Sequence, residues 1–131
     1  PGLFARNERV VCRFADLTGR HGDFVMVLVG ATIVGSIETT WHGVVTPPRS
    51  AAIRTWIYPI EGRAPSGDAT ATPGAGLPVR LDRGEEMGRF ALGSTVIVLM
   101  PSDARADFLG RWQPGAPIRV GEAMANRPPA A

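Results

Sequence analysis

The chain has 131 residues, of which 44% are hydrophobic and 20% charged, so it can bury the core of one domain. Its net charge is only +2 and its basic residues, all arginines, are scattered, which argues against a nucleic-acid partner because such binding needs a basic patch or stripe. The single cysteine, Cys12, excludes a fold held by internal disulfides, and the longest apolar run, 24–35, is too short and too rich in glycine to span a bilayer.

Short runs of β-branched and aromatic residues, interrupted by glycine and proline, follow one another through the first half of the chain. Such runs are typical of strands rather than of an amphipathic helix. The chain opens with a predicted loop over 1–9, which carries Asn7 and three charges. Strands are then predicted at 10–16, 23–29, 31–34, 37–40, 44–46 and 52–58.

The second half begins with a change of composition. Residues 61–76 are poor in large hydrophobic side chains, which predicts a flexible loop inside one domain spanning 1–131. Further strands are predicted at 78–81, 94–100 and 118–120. A short helix is predicted at 102–109 and a frayed tail at 125–131. The predicted fold class is therefore all-β, a β-sandwich of short antiparallel strands, either plain or of the barrel-sandwich-hybrid type.

Few side chains in the chain are suited to metal chemistry. The histidines, His21 and His42, and Cys12 have no spacing typical of a zinc site, so we predict no metal. His21 lies in an Arg-His-Gly turn, which favours a solvated side chain. His42 follows Trp41 at the start of a strand and is the better candidate for a substrate contact, with a structural role as the alternative.

The step Leu92-Gly93-Ser94-Thr95 precedes the apolar run 96–100. Glycine before serine at the start of a strand is usually a turn. It could also display a serine next to an unhindered carbonyl, but a serine hydroxyl is a poor nucleophile without a base, and the residue pattern shows none. From the residues alone, the prediction stops at a β-sandwich with a displayed Gly-Ser bond.

Four blocks of the sequence, in this order, resemble the phosphatidylserine decarboxylases of bacterial type. The resemblance covers most of the chain from residue 3 to about residue 100, and its last block is the most specific. The blocks are Leu3-Phe4-Ala5-Arg6-Asn7-Glu8-Arg9-Val10, Val29-Gly30-Ala31-Thr32-Ile33-Val34-Gly35-Ser36-Ile37, Thr46-Pro47-Pro48 and Gly84-Glu85-Glu86-Met87-Gly88-Arg89-Phe90-Ala91-Leu92-Gly93-Ser94-Thr95-Val96.

The resemblance implies a self-cleaving enzyme that makes its own cofactor. Ser94 would attack the carbonyl of Gly93, and the chain would part into a β piece, 1–93, and an α piece, 94–131, that stay associated. Ser94 would become a pyruvoyl group, which forms a Schiff base with the amine of phosphatidylserine and accepts the electrons of decarboxylation. The product would be phosphatidylethanolamine.

The resemblance also implies where the enzyme would act and which partners it would have. The enzyme would be peripheral, at the cytoplasmic face of the cell membrane, without a nucleic-acid partner, and a homodimer is left open. Arg6 or Arg89 could meet a lipid phosphate. The Asp and His that assist this serine in the family lie upstream of the first matching block, so the chain by itself is expected to be inactive. Candidates for the pocket wall, which core packing explains equally well, are Met87, Phe90, Leu92, Thr95 and His42.

Two alternatives remain at this stage. One is a pyruvoyl-dependent decarboxylase that acts on a soluble amino acid. The other is a non-enzymatic, lipoyl-like β-sandwich module, suggested by a weak echo between Gly84-Glu85-Glu86-Met87-Gly88 and Gly121-Glu122-Ala123-Met124-Ala125. A carrier of that type needs a lysine for attachment, and the chain has none.

Overall fold

The computed structural model describes residues 2, 6–19, 22–31, 36–46, 53–60, 78–92, 95–102, 104 and 106–126. Within this part every regular element is a strand and every strand pair is antiparallel, which confirms the all-β prediction. The strands are β1 (Arg9–Phe14), β2 (Phe24–Val29), β3 (Ile37–Thr39), β4 (Gly43–Val44), β5 (Gly88–Phe90), β6 (Thr95–Leu99), β7 (Asp107–Phe108) and β8 (Ala125–Asn126).

The first sheet, called sheet A, has the order β1-β2-β6. β2 is the central strand, and its run of Val, Met and Leu has the composition expected of a strand with neighbours on both sides. One row of the sheet joins Arg9, Val29 and Thr95, and the opposite end pairs Phe14 with Phe24. The start of β6 therefore lies at the end of the sheet where β1 begins and β2 ends.

The second sheet, called sheet B, has the order β4-β3-β5 and contains the most buried side chains that the structure describes. Ile37 is 0% exposed and Thr39 1% exposed, both on the central strand β3. Thr39 pairs with Gly88 of β5. A Cβ on Gly88 would collide with the carbonyl oxygen of Glu38, so the close approach of β3 and β5 requires glycine at this position.

Sheets A and B are joined at both ends. Phe14 of sheet A stacks on Phe24 with ring centroids 5.1 Å apart, and it meets Trp41, just beyond β3, edge-on at 6.1 Å. At the other end the chain crosses from sheet B to sheet A between Phe90 and Thr95. The antiparallel pair β7–β8 forms a third small sheet, extended by the Leu109 N–H, which donates to the Met124 carbonyl at 3.1 Å.

The predicted helix over 102–109 is wrong for the residues described there. Ala104 N–H closes a turn onto the Pro101 carbonyl at 3.0 Å, and β7 follows at once by pairing with β8. The helix-forming alanines are thus overridden by a tertiary strand pairing. No described residue belongs to a helix that is long and apolar enough to cross a membrane.

Three predicted strands are also absent where the structure describes them: residues 53–58, 78–81 and 118–120 have no strand partner. Val120 is fully exposed in a turn and Ile53 is 98% exposed, so β-branched composition alone did not supply the neighbour that a strand needs. The remaining β1, β2, β3, β4 and β6 predictions are confirmed to within about two residues. Outside the described residues lie most of the predicted strand 31–34, the loop 61–76 and residues 127–131 of the predicted tail 125–131. The first two residues of that tail are not frayed, because they form β8 and pair with β7.

Candidate functional site

The Gly93-Ser94 step itself lies outside the described residues, but the chain on both sides of it is described. On one side β5 ends at Phe90 in sheet B, and the Ala91 N–H donates to the Ser36 carbonyl at 3.1 Å. On the other side β6 begins at Thr95 in sheet A. The predicted cleavage point is therefore in the short link by which the chain passes from one sheet to the other.

Polar groups of the first loop lie at the end of sheet A where β6 begins. The Glu8 carbonyl accepts the Gly30 N–H at 2.9 Å, one step beyond the row that joins Arg9, Val29 and Thr95. The Asn7 side-chain amide donates to the Gly30 carbonyl at 2.8 Å. Glu8 Oε2 is buried and has no hydrogen-bond partner. This end of the sheet therefore carries a carboxylate oxygen free to accept a hydrogen bond.

The structure places the predicted pocket residues at the two ends of sheet B and at the start of β6 in sheet A. Phe90 is half-buried opposite Ile37, at the end that leads toward Gly93, and Leu92 beyond it is 58% exposed. Thr95 is partly buried at the first position of β6. Met87 lies at the other end, where its carbonyl accepts the Thr40 N–H at 3.0 Å.

His42 also lies at that other end, in the turn between β3 and β4, where its N–H donates to the Thr39 carbonyl at 3.3 Å. His42 Nδ1 and the Tyr58 hydroxyl share a hydrogen bond of 2.7 Å, and the imidazole packs on Trp56 with centroids 4.5 Å apart. Burial raises the pKa of the Tyr58 phenol above its ordinary value. The structure thus gives His42 a packed, hydrogen-bonded environment and does not bring it to the start of β6.

The candidate phosphate ligand Arg89 has a partner within sheet B. Its guanidinium donates from Nε to Glu38 Oε2 at 3.0 Å and from Nη2 to Oε1 at 3.2 Å. This two-point pair fixes the planar guanidinium against the carboxylate on the neighbouring strand. Arg6 is exposed, and it remains the freer of the two predicted phosphate contacts.

Neither Cys12 nor His42 belongs to a group of metal-ligating side chains in the described part of the chain, where no three His, Cys, Asp or Glu residues come together. Burial raises the pKa of the Cys12 thiol, which makes it a weak nucleophile at neutral pH. His21 lies outside the described residues.

The sequence did not single out Glu8 or Gly30 as site residues. Both residues fall in the blocks 3–10 and 29–37. A carboxylate between two arginines is typical of an ordinary solvated loop, so Glu8 gave no signal of its own. The signal that could have found them is topological. Once the strand order β1-β2-β6 is known, the residues just before β1 and just after β2 lie at the same end of the sheet as the start of β6.

Comparison with known proteins gives one family throughout. A family model described as phosphatidylserine decarboxylase matches residues 2–126. The phosphatidylserine decarboxylase proenzyme of Albidiferax ferrireducens is 56% identical over 131 residues, which is 100% of this chain and 39% of that protein. The proenzymes of Variovorax paradoxus and Azoarcus sp. are 53% and 55% identical over 126 residues, 96% of this chain and 38% and 37% of those proteins. The chain thus spans well under half the length of these curated relatives, and no solved structure matches it.

Proposed function

Because the chain belongs to the phosphatidylserine decarboxylase family, we propose that it is part of a proenzyme that cleaves itself between Gly93 and Ser94 and then removes CO2 from phosphatidylserine. The observation that carries the proposal is the match over 2–126 to that family, together with the relatives' description as proenzymes. Leu92-Gly93-Ser94-Thr95 lies inside the matched range.

The cleavage we propose uses the serine hydroxyl and the preceding carbonyl. Ser94 Oγ bonds to the Gly93 carbonyl carbon as the C–N bond breaks, which converts the amide to an ester. Loss of the Ser94 Cα proton expels the Gly93 carboxylate and leaves dehydroalanine. Water then replaces the nitrogen, ammonia departs, and a pyruvoyl group remains at position 94. The base for these steps is assigned to the upstream segments of the precursor that the family resemblance implies.

The keto group so formed would supply the electron sink for decarboxylation. A ketone next to an amide carbonyl condenses with the primary amine of the lipid headgroup and accepts the electron pair released with CO2. With a membrane lipid as substrate, we place the protein at the cytoplasmic face of the membrane as a peripheral enzyme. A homodimer is part of the same proposal, and light scattering of the purified protein measures whether it forms.

The strand arrangement supports continued association of the two pieces after cleavage. β6 would belong to the α piece, and its five residue pairs with β2 join it to the β piece. β3, β4 and β5 would all lie in the β piece. Breaking the link between the sheets would therefore leave sheet B whole and hold the α piece through the ladder of sheet A.

The test is the mass of the whole precursor purified in the native form. We expect an α piece that begins at a blocked residue 94 and a β piece that ends at Gly93, and we expect release of CO2 from phosphatidylserine vesicles but not from free serine. Ser94→Ala should stay uncleaved, whereas Ser102→Ala, at an exposed serine, should cleave normally.

Two results would contradict the proposal. One is a native precursor that remains a single chain and still decarboxylates the lipid. The other is cleavage with equal turnover of free serine and of the lipid, which would support the decarboxylase of a soluble amino acid instead.

A further inference from the structure

One edge of sheet A is open in the described part of the chain. β6 pairs with β2 on one side, and no described strand pairs with it on the other. The N–H and C=O groups of β6 that point away from β2 therefore have no backbone partner among the residues that the structure describes. A row of such groups is a template on which another strand can pair.

The other described strand edges are protected in ways that β6 is not. β1, at the opposite edge of sheet A, carries the exposed arginines Arg9 and Arg13. The edge strands of sheet B, β4 and β5, have only two and three residues. Charged side chains and short strands are the usual means by which proteins keep an edge from pairing. β6 has five residues and contains no charge, proline or glycine, so it is suited to accept another strand.

The apolar surface of β6 continues the buried face of sheet A. Val96 lies opposite Leu28, which is 4% exposed, and Val98 lies opposite the half-buried Met26. Residues that lie opposite each other share a face of the sheet. Val96 and Val98 are nevertheless 45% and 40% exposed. The apolar face therefore runs from a covered central strand to an uncovered edge.

The order of residues along β6 favours a second copy of the same strand as the neighbour. A two-fold axis at Ile97 pairs the two strands antiparallel and places each Val96 opposite the other copy's Val98. These residues are β-branched and uncharged, so they suit a pleated surface and bring no like charges together. Both copies use the same edge, so the assembly closes at two.

We propose that β6 is the dimer interface of this protein and that two copies join their β6 strands into one six-stranded sheet. The inference rests on the homodimer in the proposed function, for which it names the surface, and it does not depend on the cleavage chemistry. The strand order is β1-β2-β6-β6-β2-β1, which is an ordinary size for a sheet. The partner is therefore a second copy of the same chain.

The experiment measures the molar mass of the whole precursor by sedimentation over a range of protein concentrations. Val98→Glu places a charge in the proposed interface. Val11→Glu is the matched control, because it places the same charge at a 61% exposed valine on the opposite edge of the same sheet. The double variant Val96→Lys/Val98→Glu places opposite charges across from each other in the proposed register.

We expect the native precursor and Val11→Glu to be dimers with the same dissociation constant. Val98→Glu should raise that constant at least tenfold, because its carboxylate faces the second copy's Val96 without a partner. The double variant should regain the dimer at low salt and lose it at high salt, which screens the charges.

If Val98→Glu folds poorly, Ile97→Cys takes its place. The two-fold register brings the two new thiols opposite each other, so oxidation by diamide should join two copies by a disulfide. The native precursor, treated in the same way, should not be joined.

A dimer whose dissociation constant is unchanged in Val98→Glu overturns the inference, because the copies then meet through another surface. A native precursor that stays a monomer at every concentration overturns it too, together with the homodimer. If Val98→Glu then lowers stability more than Val11→Glu does, another part of the precursor covers β6. Failure of the proposed reaction would look different: no α piece would form and no CO2 would leave phosphatidylserine, whatever the molar mass.

Discussion

Sheets A and B have the same number of strands but differ in which parts of the chain they contain. Sheet B is short, contains Ile37 and Thr39 as its buried centre, and is made entirely of residues before Gly93. Sheet A has longer ladders, and its third strand, β6, comes from residues after Ser94. Cleavage between them would turn sheet A into a two-chain sheet and leave sheet B a one-chain sheet. After the proposed cleavage, stability within a piece and association between pieces would thus be located in different sheets.

The sharpest test of this difference compares two buried aliphatic residues in the cleaved protein. Leu28→Ala in sheet A and Ile37→Ala in sheet B should each lower the free energy of unfolding by about 2–5 kcal/mol, because each removes a buried side chain. Only Leu28 faces β6 across the ladder, at Val96. We therefore expect Leu28→Ala alone to release the α piece in mild urea, measured by gel filtration.

The control for both substitutions is Ile53→Ala, at a side chain that is 98% exposed, which should change stability by less than about 0.5 kcal/mol. Release of the α piece by Ile37→Ala to the same extent would remove the distinction between the sheets.

The tight contact inside sheet B gives the next largest effect. Gly88→Ala places a methyl group against the Glu38 carbonyl and forces β5 away from β3, which should cost about 1–3 kcal/mol in thermal or urea unfolding of the precursor. Gly110→Ala has open space around the new methyl group and should be nearly neutral. Equal stability of the two variants would mean that β3 and β5 are not in close contact.

Two threonines, Thr39 in sheet B and Thr46 just beyond β4, are expected to change the free energy of unfolding in opposite directions when each is replaced by valine. Thr39 Oγ1 is buried without a partner, whereas Thr46 Oγ1 accepts the Ile37 N–H at 2.9 Å. We expect Thr39→Val to raise the free energy of unfolding by up to about 1 kcal/mol and Thr46→Val to lower it by a similar amount. Urea titration of the two variants measures both signs, and a loss of stability in Thr39→Val would show that its hydroxyl has a partner after all.

The smallest effect concerns Cys12, on β1 of sheet A. Burial raises its pKa above the ordinary 9.0, so the folded chain keeps the thiol proton where the unfolded chain loses it. The thiol therefore adds no pH dependence below pH 9, and stability should fall slightly as pH rises above it. Cys12→Ala should remove that slope. Alkylation by iodoacetamide at pH 8 should be slower in the folded protein than in urea, and equal rates would contradict the burial.

The sequence alone predicted a strand correctly where a segment had both a strand-like composition and a neighbouring strand to pair with. The runs around Val27 and Ile97 alternate or stay apolar, and they pair as central and outer strands of one sheet. The sequence-based prediction failed at 118–120 and at 102–109. β-branched and helix-forming residues indicate a local conformational preference, but they do not indicate which segment lies beside them.

For the candidate site, motif recognition located the Gly93-Ser94 step, and the strand order added what the motif lacks. Glu8 became a candidate only through its register with Gly30 and the start of β6. His42 shows the reverse case. Its position after Trp41 suggested a ligand contact, and the structure gives it Tyr58 and Trp56 as neighbours. Its role in a pocket stays a prediction.

The pairing of β2 with β6 also bears on how such a protein is synthesised and folded. β6 acts as a donor strand that completes a sheet begun by another segment. Without it, β2 would present an open, apolar edge from Val25 to Val29, which is the kind of edge on which chains aggregate. Synthesis as one chain supplies the donor strand at high effective concentration before the edge meets a second molecule. If the proposed cleavage follows completion of the sheet, the uncleaved chain would protect its own apolar edge during folding.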